Sequence, residues 1–436
     1  MTKSQFIISA PTSNAGKTTL TLGLLRALKA RGLNVQPFKT GPDYIDPKFH
    51  TQASGTESVN LDLFMMPETH LHQTYQKYGT DAEVLVVEGV MGLFDGAPKA
   101  ERSTASLAKS LNLPVILVVD AQSVAYSVAP LLHGFSSFDK EINIAGVIFN
   151  RVGSKNHYQM LVEACEDLGL KSLGYLSRIP EIEIPSRHLG LSIAQIEKYE
   201  QTINRLAQEL TETVDLDMLL EVTEKSFTET QREKISNVSN VKIAIAKDEA
   251  FNFTYLENLE ALKNRGEITF FSPLSDTSLP DCDLLYLPGG YPEMYAEQLS
   301  DNIEMRTQIK SFSNTGGKVL AECGGLMYLG KSLTDLDGKT YDMVNVFDFD
   351  TSLANKKLSL GYRTVKIGNY EFKGHEFHYS TISNESDELK GIEISTARNT
   401  KSKTKIYKKN NTIASYMHWY WGTEENLKDF LLMMNE

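Results

Sequence analysis

The stretch Phe6-Ile7-Ile8-Ser9-Ala10-Pro11-Thr12-Ser13-Asn14-Ala15-Gly16-Lys17-Thr18-Thr19 joins a short apolar run to a loop, and then to a helical pattern that continues to Arg31 and stops at Gly32. In a strand-loop-helix of this kind, backbone N–H groups and the helix N-terminus surround a phosphate. Lys17 would supply charge to the outer phosphates and Thr18 a hydroxyl for Mg²⁺. Pro11 stands six residues before Lys17, where such loops usually carry glycine, and it removes one N–H donor.

Working outward, short β-rich runs alternate with helical patterns as far as about Leu176: Phe6 to Ile8, Val35 to Phe38, Val84 to Val87, Val115 to Val119, Ile144 to Phe149 and Ser172 to Leu176. Alternation of strand and helix predicts βαβ units around a mostly parallel sheet. The unbroken apolar runs Val84–Val87 and Val115–Val119 predict central strands covered on both faces. A polar, aperiodic stretch from Glu221 to Asn240 reads as a helix tail and linker. Beyond it a second α/β pattern starts at Val241 and runs through Ile268–Phe271, Leu284–Leu287 and Lys318–Ala321. It ends in β-rich segments near Val365, Ile392, Ile406 and Ile413 and a closing helix from about Glu424. The expected division is 1–222, a linker over 223–240, and 241–436.

The length of 436 residues suits two or three such domains. With 44 Lys and Arg against 56 Asp and Glu, the net charge of −12 repels nucleic acid and anionic lipid, so neither is an expected partner. An anionic substrate then needs a locally cationic or metal-filled site. Three scattered cysteines, Cys165, Cys282 and Cys323, make no disulfide framework. With no run of about 18 apolar residues and no signal-like N-terminus, a soluble, cytoplasmic protein is expected.

Three further clusters carry chemistry. Val84–Val87 lead into Glu88, followed by Gly89-Val90-Met91-Gly92-Leu93-Phe94-Asp95-Gly96, and carboxylates at a strand's carboxyl end lie beside the phosphate crevice. Glu88 and Asp95 are therefore metal candidates. Phe38-Lys39-Thr40-Gly41-Pro42-Asp43-Tyr44-Ile45-Asp46-Pro47 brings two carboxylates three residues apart, suited to a metal, to a reacting acid, or simply to forming a turn. Lys318–Ala321 runs into Glu322-Cys323-Gly324-Gly325-Leu326-Met327, a strand-to-helix elbow expected to expose a thiol beside a helix N-terminus that lowers its pKa. Gly324, with Gly289 and Gly290 after the strand Leu284–Leu287, would offer N–H groups to an oxyanion. The thiol needs a base, and His375, His378 and His418 are the candidates.

Together these blocks, with Gly374-His375-Glu376-Phe377-His378, resemble the cobyrinate a,c-diamide synthase family over nearly the whole chain. The resemblance implies an α/β protein: an N-terminal P-loop parallel-sheet ATP-binding domain that forms the amide, then a class I glutamine amidotransferase domain. It implies Cys323 as the glutamine-hydrolysing nucleophile and His418 as its partner. Because Tyr420 stands where relatives outside the cobalamin branch carry an acid, it implies a Cys-His dyad without a named third member. Ser13, Asn14, Ala15, Gly16, Lys17, Thr18, Thr19, Lys39 and Asn150 are then expected around ATP, with Asn150 reading the base. Thr18, Glu88 and Asp95 are expected on Mg²⁺. Asp43, Tyr44, Asp46 and His375 are expected on the substrate side, with Lys17, Lys39 and Mg²⁺ making the crevice positive. The implied reaction is ATP-dependent amidation of the a and c carboxylates of cobyrinic acid, with L-glutamine or ammonia as nitrogen source, through an acyl phosphate. Hydrogenobyrinic acid or Ni-sirohydrochlorin are the alternative substrates. A P-loop switch ATPase with an inactive amidotransferase module is the alternative class.

Overall fold

A computed structural model describes residues 1–178, 199–229, 241–354, 356–385 and 392–433. The chain divides into two compact units, Met1–Arg232 and Glu233–Glu436. In the first, the strands β1 (Thr2–Ser9), β2 (Val35–Thr40), β3 (Val59–Leu61), β4 (Val84–Glu88), β5 (Val115–Asp120), β6 (Ile144–Val152) and β7 (Ser172–Ser177) form a sheet in the order β3-β2-β4-β1-β5-β6-β7. Every neighbouring pair along this order is parallel. Helices cover both faces, which is why the two faces of β1, β4 and β5 are equally apolar: Phe6, Ile7, Leu85, Val86, Ile116 and Leu117 are all buried. The helix α1 (Lys17–Ala30) follows β1 directly and packs on the helix Glu200–Thr213.

The expected linker begins too early. Glu224–Ser226 forms an antiparallel strand, β8, on Thr2–Ser4 of β1, beside the stretch Ile7–Ser9 that β5 occupies. Its polar side chains hid it, because an edge strand with Glu, Lys and Ser has no apolar alternation to read. The rest of the expected linker, 230–240, lies outside the described residues.

In the second unit β9 (Val241–Ala246), β10 (Gly266–Phe271), β11 (Leu284–Leu287) and β12 (Lys318–Glu322) are parallel in the order β10-β9-β11-β12. The strand Thr412–Ser415 continues the sheet in parallel, and Ile406–Lys409 closes it as an antiparallel edge. Alternation sorts side chains to two cores: Ala244, Leu285, Leu287, Val319 and Ala321 on one face, Ile243, Ile245, Tyr286 and Leu320 on the other. A four-stranded antiparallel sheet in the order Glu393–Thr396, Ser359–Ile367, Tyr370–His378, Met417–Tyr420 supplies the second core with Val365, Phe372, Met417 and Trp419. The chain therefore passes through Tyr416 from one sheet straight into the other, carrying His418 with it.

Two glycines of the first unit separate backbone strain from packing. Gly169 has φ +66° with nothing within 4 Å of an added Cβ, whereas Gly174 has φ +137° and an added Cβ would lie 2.2 Å from the Thr213 carbonyl oxygen. Gly169→Ala is expected to cost about 1 kcal/mol, the left-handed penalty alone. Gly174→Ala should cost roughly 3 kcal/mol, because β7 must also move off the end of the helix Glu200–Thr213. Urea unfolding followed by far-UV circular dichroism checks the ranking, and equal costs would reject it.

Candidate active sites

The phosphate loop keeps its shape by unusual backbone angles. Asn14 (φ 64°) and Gly16 (φ 94°) lie in the left-handed region, and Gly16 starts α1 without a side-chain cap. Such a loop leaves the first N–H groups of α1 for an anion. Asn150, at the end of β6, donates from Nδ2 to the Ala15 carbonyl at 2.9 Å, and an added Cβ on Gly16 would overlap it. Arg151 bonds the Asn14 carbonyl at 3.2 Å while pairing with Asp120 at 2.5 Å. Lys17 reaches back across the loop to the carbonyls of Met91 at 2.5 Å and Thr12 at 3.4 Å.

Glu88 is completely buried at the end of β4. Its Oε1 accepts from Thr18 Oγ1 at 2.6 Å and from Lys39 Nζ at 2.9 Å, and its Oε2 lies 2.6 Å from His50 Nε2. Burial alone would raise its pKa, but the Lys39 charge and then the His50 contact outweigh it and hold the carboxyl well below the usual range. Lys39 also pairs with Asp46 at 2.6 Å, so its charge is balanced inside the protein and adds no net positive potential to the crevice, contrary to expectation. Asp46 and His50 lie one turn apart on the helix α2 (Asp46–Ser54), a spacing that marks one helix face. That spacing was the available signal for His50, which sequence reasoning missed. Asp43 Oδ1 accepts the N–H groups of Ile45 and Asp46, the turn-forming role that competed with substrate positioning. Tyr44 is buried beside it. Asp95 closes its own loop by accepting the Gly92 N–H at 2.8 Å.

The donor set around Thr18 fits Mg²⁺, a hard ion that takes one or two carboxylates and completes its shell with water and phosphate oxygens. Thr18 Oγ1 and the Glu88 carboxylate are already within 2.6 Å of each other. Among the described residues no cluster of three or more His, Cys, Asp or Glu side chains forms an all-protein metal cage.

In the second unit Cys323 sits between β12 and a six-residue helix, Gly324–Leu329, with φ +46° and ψ −100°. A non-glycine residue in such a conformation is strained, as an elbow that turns its side chain out of a sheet requires. The thiol is nevertheless buried, and burial, reinforced by the nearby Glu293 carboxylate, pushes its pKa well up, against the pull of the Gly324 N–H. The expected exposed, acidified thiol is thus corrected: one short helix does not offset complete desolvation. Gly290 does reach the elbow, since an added Cβ on Gly324 would meet its nitrogen at 3.0 Å.

Cross-strand register decides the histidines. His375 and His418 are direct antiparallel partners, so their rings share a face and stack at 4.9 Å. His375 Nδ1 is held by Tyr255 Oη at 2.8 Å, and His378 lies 3.4 Å from Glu376. His418 instead packs on the glycine loop, where an added Cβ on Gly289 would sit 2.2 Å from its Cε1. Its Nδ1 lies 3.8 Å from Glu322, a second residue that sequence reasoning passed over. Burial pushes His375 down to about 3 and His418 lower than its ordinary range, so both rings are neutral.

Residues 6–191 match the CobQ/CobB/MinD/ParA nucleotide binding domain, and residues 242–426 the CobB/CobQ-like glutamine amidotransferase domain. The chain is 42% identical to a cobyrinate a,c-diamide synthase of Caldanaerobacter subterraneus, covering 98% of this chain and 97% of the relative. It is 41% identical to the synthase of that name in Listeria innocua, over 95% of each. A hydrogenobyrinate a,c-diamide synthase of Brucella abortus is 44% identical over 87% of this chain and 90% of the relative. No helix among the described residues is long and apolar enough to cross a membrane.

The neutral histidines tie the second unit's stability to pH. Between the unfolded value near 6.5 and the folded value of about 3, an unfolded His375 takes up a proton that the folded one refuses. Stability is therefore lost as pH falls through that window, at up to about 1.4 kcal/mol per pH unit for this group. Both tryptophans, Trp419 and Trp421, lie in this unit, so their fluorescence during urea unfolding reports it. His375→Gln should flatten the slope between pH 6.5 and 5, and an unchanged slope would exclude His375 as its source.

Proposed function

The chain belongs to the cobyrinate a,c-diamide synthase family, and from that premise we propose how its two sites divide the work of an ATP-dependent, glutamine-hydrolysing ligase. The reaction is amidation of the a and c carboxylates of a cobyrinic acid-type macrocycle in cobalamin biosynthesis, with ATP, glutamine and the tetrapyrrole as its small-molecule partners. One observation carries the division: the same chain holds a phosphate loop backed by Thr18 and Glu88, and separately a strained thiol elbow beside the Gly289-Gly290 loop on which His418 packs.

A carboxylate is a poor acceptor for an amine at neutral pH. In the first unit a carboxylate oxygen attacks the γ-phosphorus of ATP, the bond to ADP breaks, and an acyl phosphate results. The N–H groups from Ser13 to Thr19 bind the phosphates, Lys17 lies over the outer ones, and Asn150 fixes the loop from behind while its remaining amide edge meets the base. Thr18 and Glu88, with Asp95 at the loop's far side, would hold Mg²⁺, which when bound neutralises phosphate charge. Asp43, Tyr44 and Asp46 present the substrate acetate, with Lys39 balancing Asp46 and Glu88.

In the second unit the Cys323 sulfur attacks the side-chain carbonyl carbon of glutamine, while the N–H groups of Gly289, Gly290 and Gly324 donate to the developing oxyanion. His418 takes the thiol proton and returns it to the departing nitrogen, releasing ammonia, and water then hydrolyses the thioester. Desolvation opposes a free thiolate in the resting enzyme, so proton transfer to His418 accompanies attack. Ammonia displaces phosphate from the acyl phosphate to give the amide. A second substrate is favoured by the 44% identity to the hydrogenobyrinate enzyme: the same side chains on a cobalt-free ring. Incubation with each macrocycle, ATP and glutamine, read by product mass, decides between them.

Cys323→Ala and His418→Ala should each abolish synthesis from glutamine and leave synthesis from ammonium salts. Lys17→Ala should suppress synthesis from both while glutamine hydrolysis stays measurable. Loss of ammonium-dependent synthesis in a folded Cys323→Ala protein would sink the two-site reading, and near-normal turnover of Lys17→Ala would remove Lys17 from phosphoryl transfer.

Glu88→Gln should lower amide formation about a hundredfold from either nitrogen source or move its Mg²⁺ dependence upward. Asp95→Asn should have the smaller effect, because asparagine still accepts the Gly92 N–H. Asp43→Asn and Asp46→Asn should change the ratio of mono- to diamide as well. Wild-type Mg²⁺ dependence and product ratios throughout would reduce these carboxylates to caps and turns.

A further inference from the structure

An imidazole that serves a thiol must carry its proton on the far nitrogen, and its positive charge must be answered once it takes a second one. The residues after His418 are Trp419, Tyr420 and Trp421 and supply no carboxylate. One arrives instead from the neighbouring strand end. Alternation along β12 puts Glu322 on the Leu320 side, in the layer that holds Tyr286, Met417 and Trp419. The carboxylate is 1% exposed, and both of its oxygens are fixed: Oε1 accepts the Trp419 N–H at 3.0 Å and Oε2 the Tyr286 hydroxyl at 2.9 Å. Held in this way, Oε2 stands 3.8 Å from His418 Nδ1. Its two anchors are neutral donors, so ionising this carboxyl is costly until a cation forms beside it.

We propose that Glu322 is the positioning residue of the thiol-imidazole pair: it holds the proton on Nδ1 of His418, leaves Nε2 to take the Cys323 proton, and balances the imidazolium that forms. The inference rests on His418 being the base. The other ionisable groups that face Cys323, His418 and Glu322 are Tyr286 from β11, Glu293 from the turn after the Gly289-Gly290 loop, and His375, Glu376 and His378 from the strand Tyr370–His378. His375 is held to Tyr255, and Glu376 to Arg363, Thr404 and His378, whereas Glu322 lies 3.8 Å from Nδ1 of His418. Burial pushes Glu322 up to about 8 when only neutral donors meet it, and an imidazolium forming at His418 would draw it back down.

The test uses the full chain. Glu322→Gln keeps volume, but its amide N–H donates to Nδ1 and fixes the proton on Nε2, the wrong tautomer. Expected are a fall of about a hundredfold or more in kcat with glutamine, an unchanged KM for glutamine, retained synthesis from ammonium, and loss of the neutral-pH limb in the alkylation of Cys323 by iodoacetamide. Glu322→Asp, which keeps the charge, should recover part of the rate. A Glu322→Gln protein with wild-type kcat and an unaltered alkylation profile overturns the proposal. If that protein loses ammonium-dependent synthesis and so is not folded, Tyr286→Phe decides. A several-fold fall in kcat at constant KM supports the role, and wild-type kcat with an unaltered alkylation profile overturns it. An active His418→Ala protein would instead overturn the reading of the base, whereas an inactive His418→Ala with a fully active Glu322→Gln overturns the role of Glu322 alone.

Discussion

A carboxylate at the end of a fully buried parallel strand has to be answered by something nearby, and each unit is organised around one such group. Glu88 closes β4 and Glu322 closes β12, exposed by 0% and 1%. The first is answered by cationic and hydrogen-bonding partners, Lys39, His50 and Thr18, and stays ionised. The second accepts hydrogen bonds, among the described residues, from the neutral donors Tyr286 and the Trp419 amide, with a neutral His418 3.8 Å away, and burial raises its pKa to about 8. One chemical group is thus held as an anion in one unit and has its proton held more tightly in the other. The difference lies in the charge of the partners rather than in depth of burial.

Much of this was legible in the chain. The two α/β units, the central position of β4 and β5, the phosphate loop and the elbow at Cys323 all follow from local signals: apolar runs, glycine placement and strand-helix alternation. Long-range consequences were not legible. The stacking of His375 on His418 depends on the register between strands some forty residues apart in sequence, and nothing local fixes that register. The pairing of Lys39 with both Asp46 and Glu88 likewise joins three elements, so a residue that reads as free charge turns out to be balanced. The thiol was misjudged for a related reason: a short helix is visible in sequence, whereas the depth of the surrounding core is not.

Asp43 and Asp46 show how one motif serves two purposes. Asp43 folds the loop through the amides of Ile45 and Asp46, and Asp46 joins the buried charge network from the first turn of α2. Together they fix Tyr44 and the start of α2 in one geometry.

The strand β8 bears on how the protein is made. Residues 224–226 pair with residues 2–4, and the Phe227 amide donates to the Met1 carbonyl, so the strand β8 is zipped onto the start of β1. On the ribosome, where folding proceeds from the N-terminus, the sheet can gather as far as β7 while this stretch of β1 stays open. It is sealed only once the chain beyond Phe227 has emerged, by which time synthesis of the amidotransferase unit has begun. Full coverage of β1 thus depends on a segment that follows β7 and the helix Leu216–Val222 in the chain.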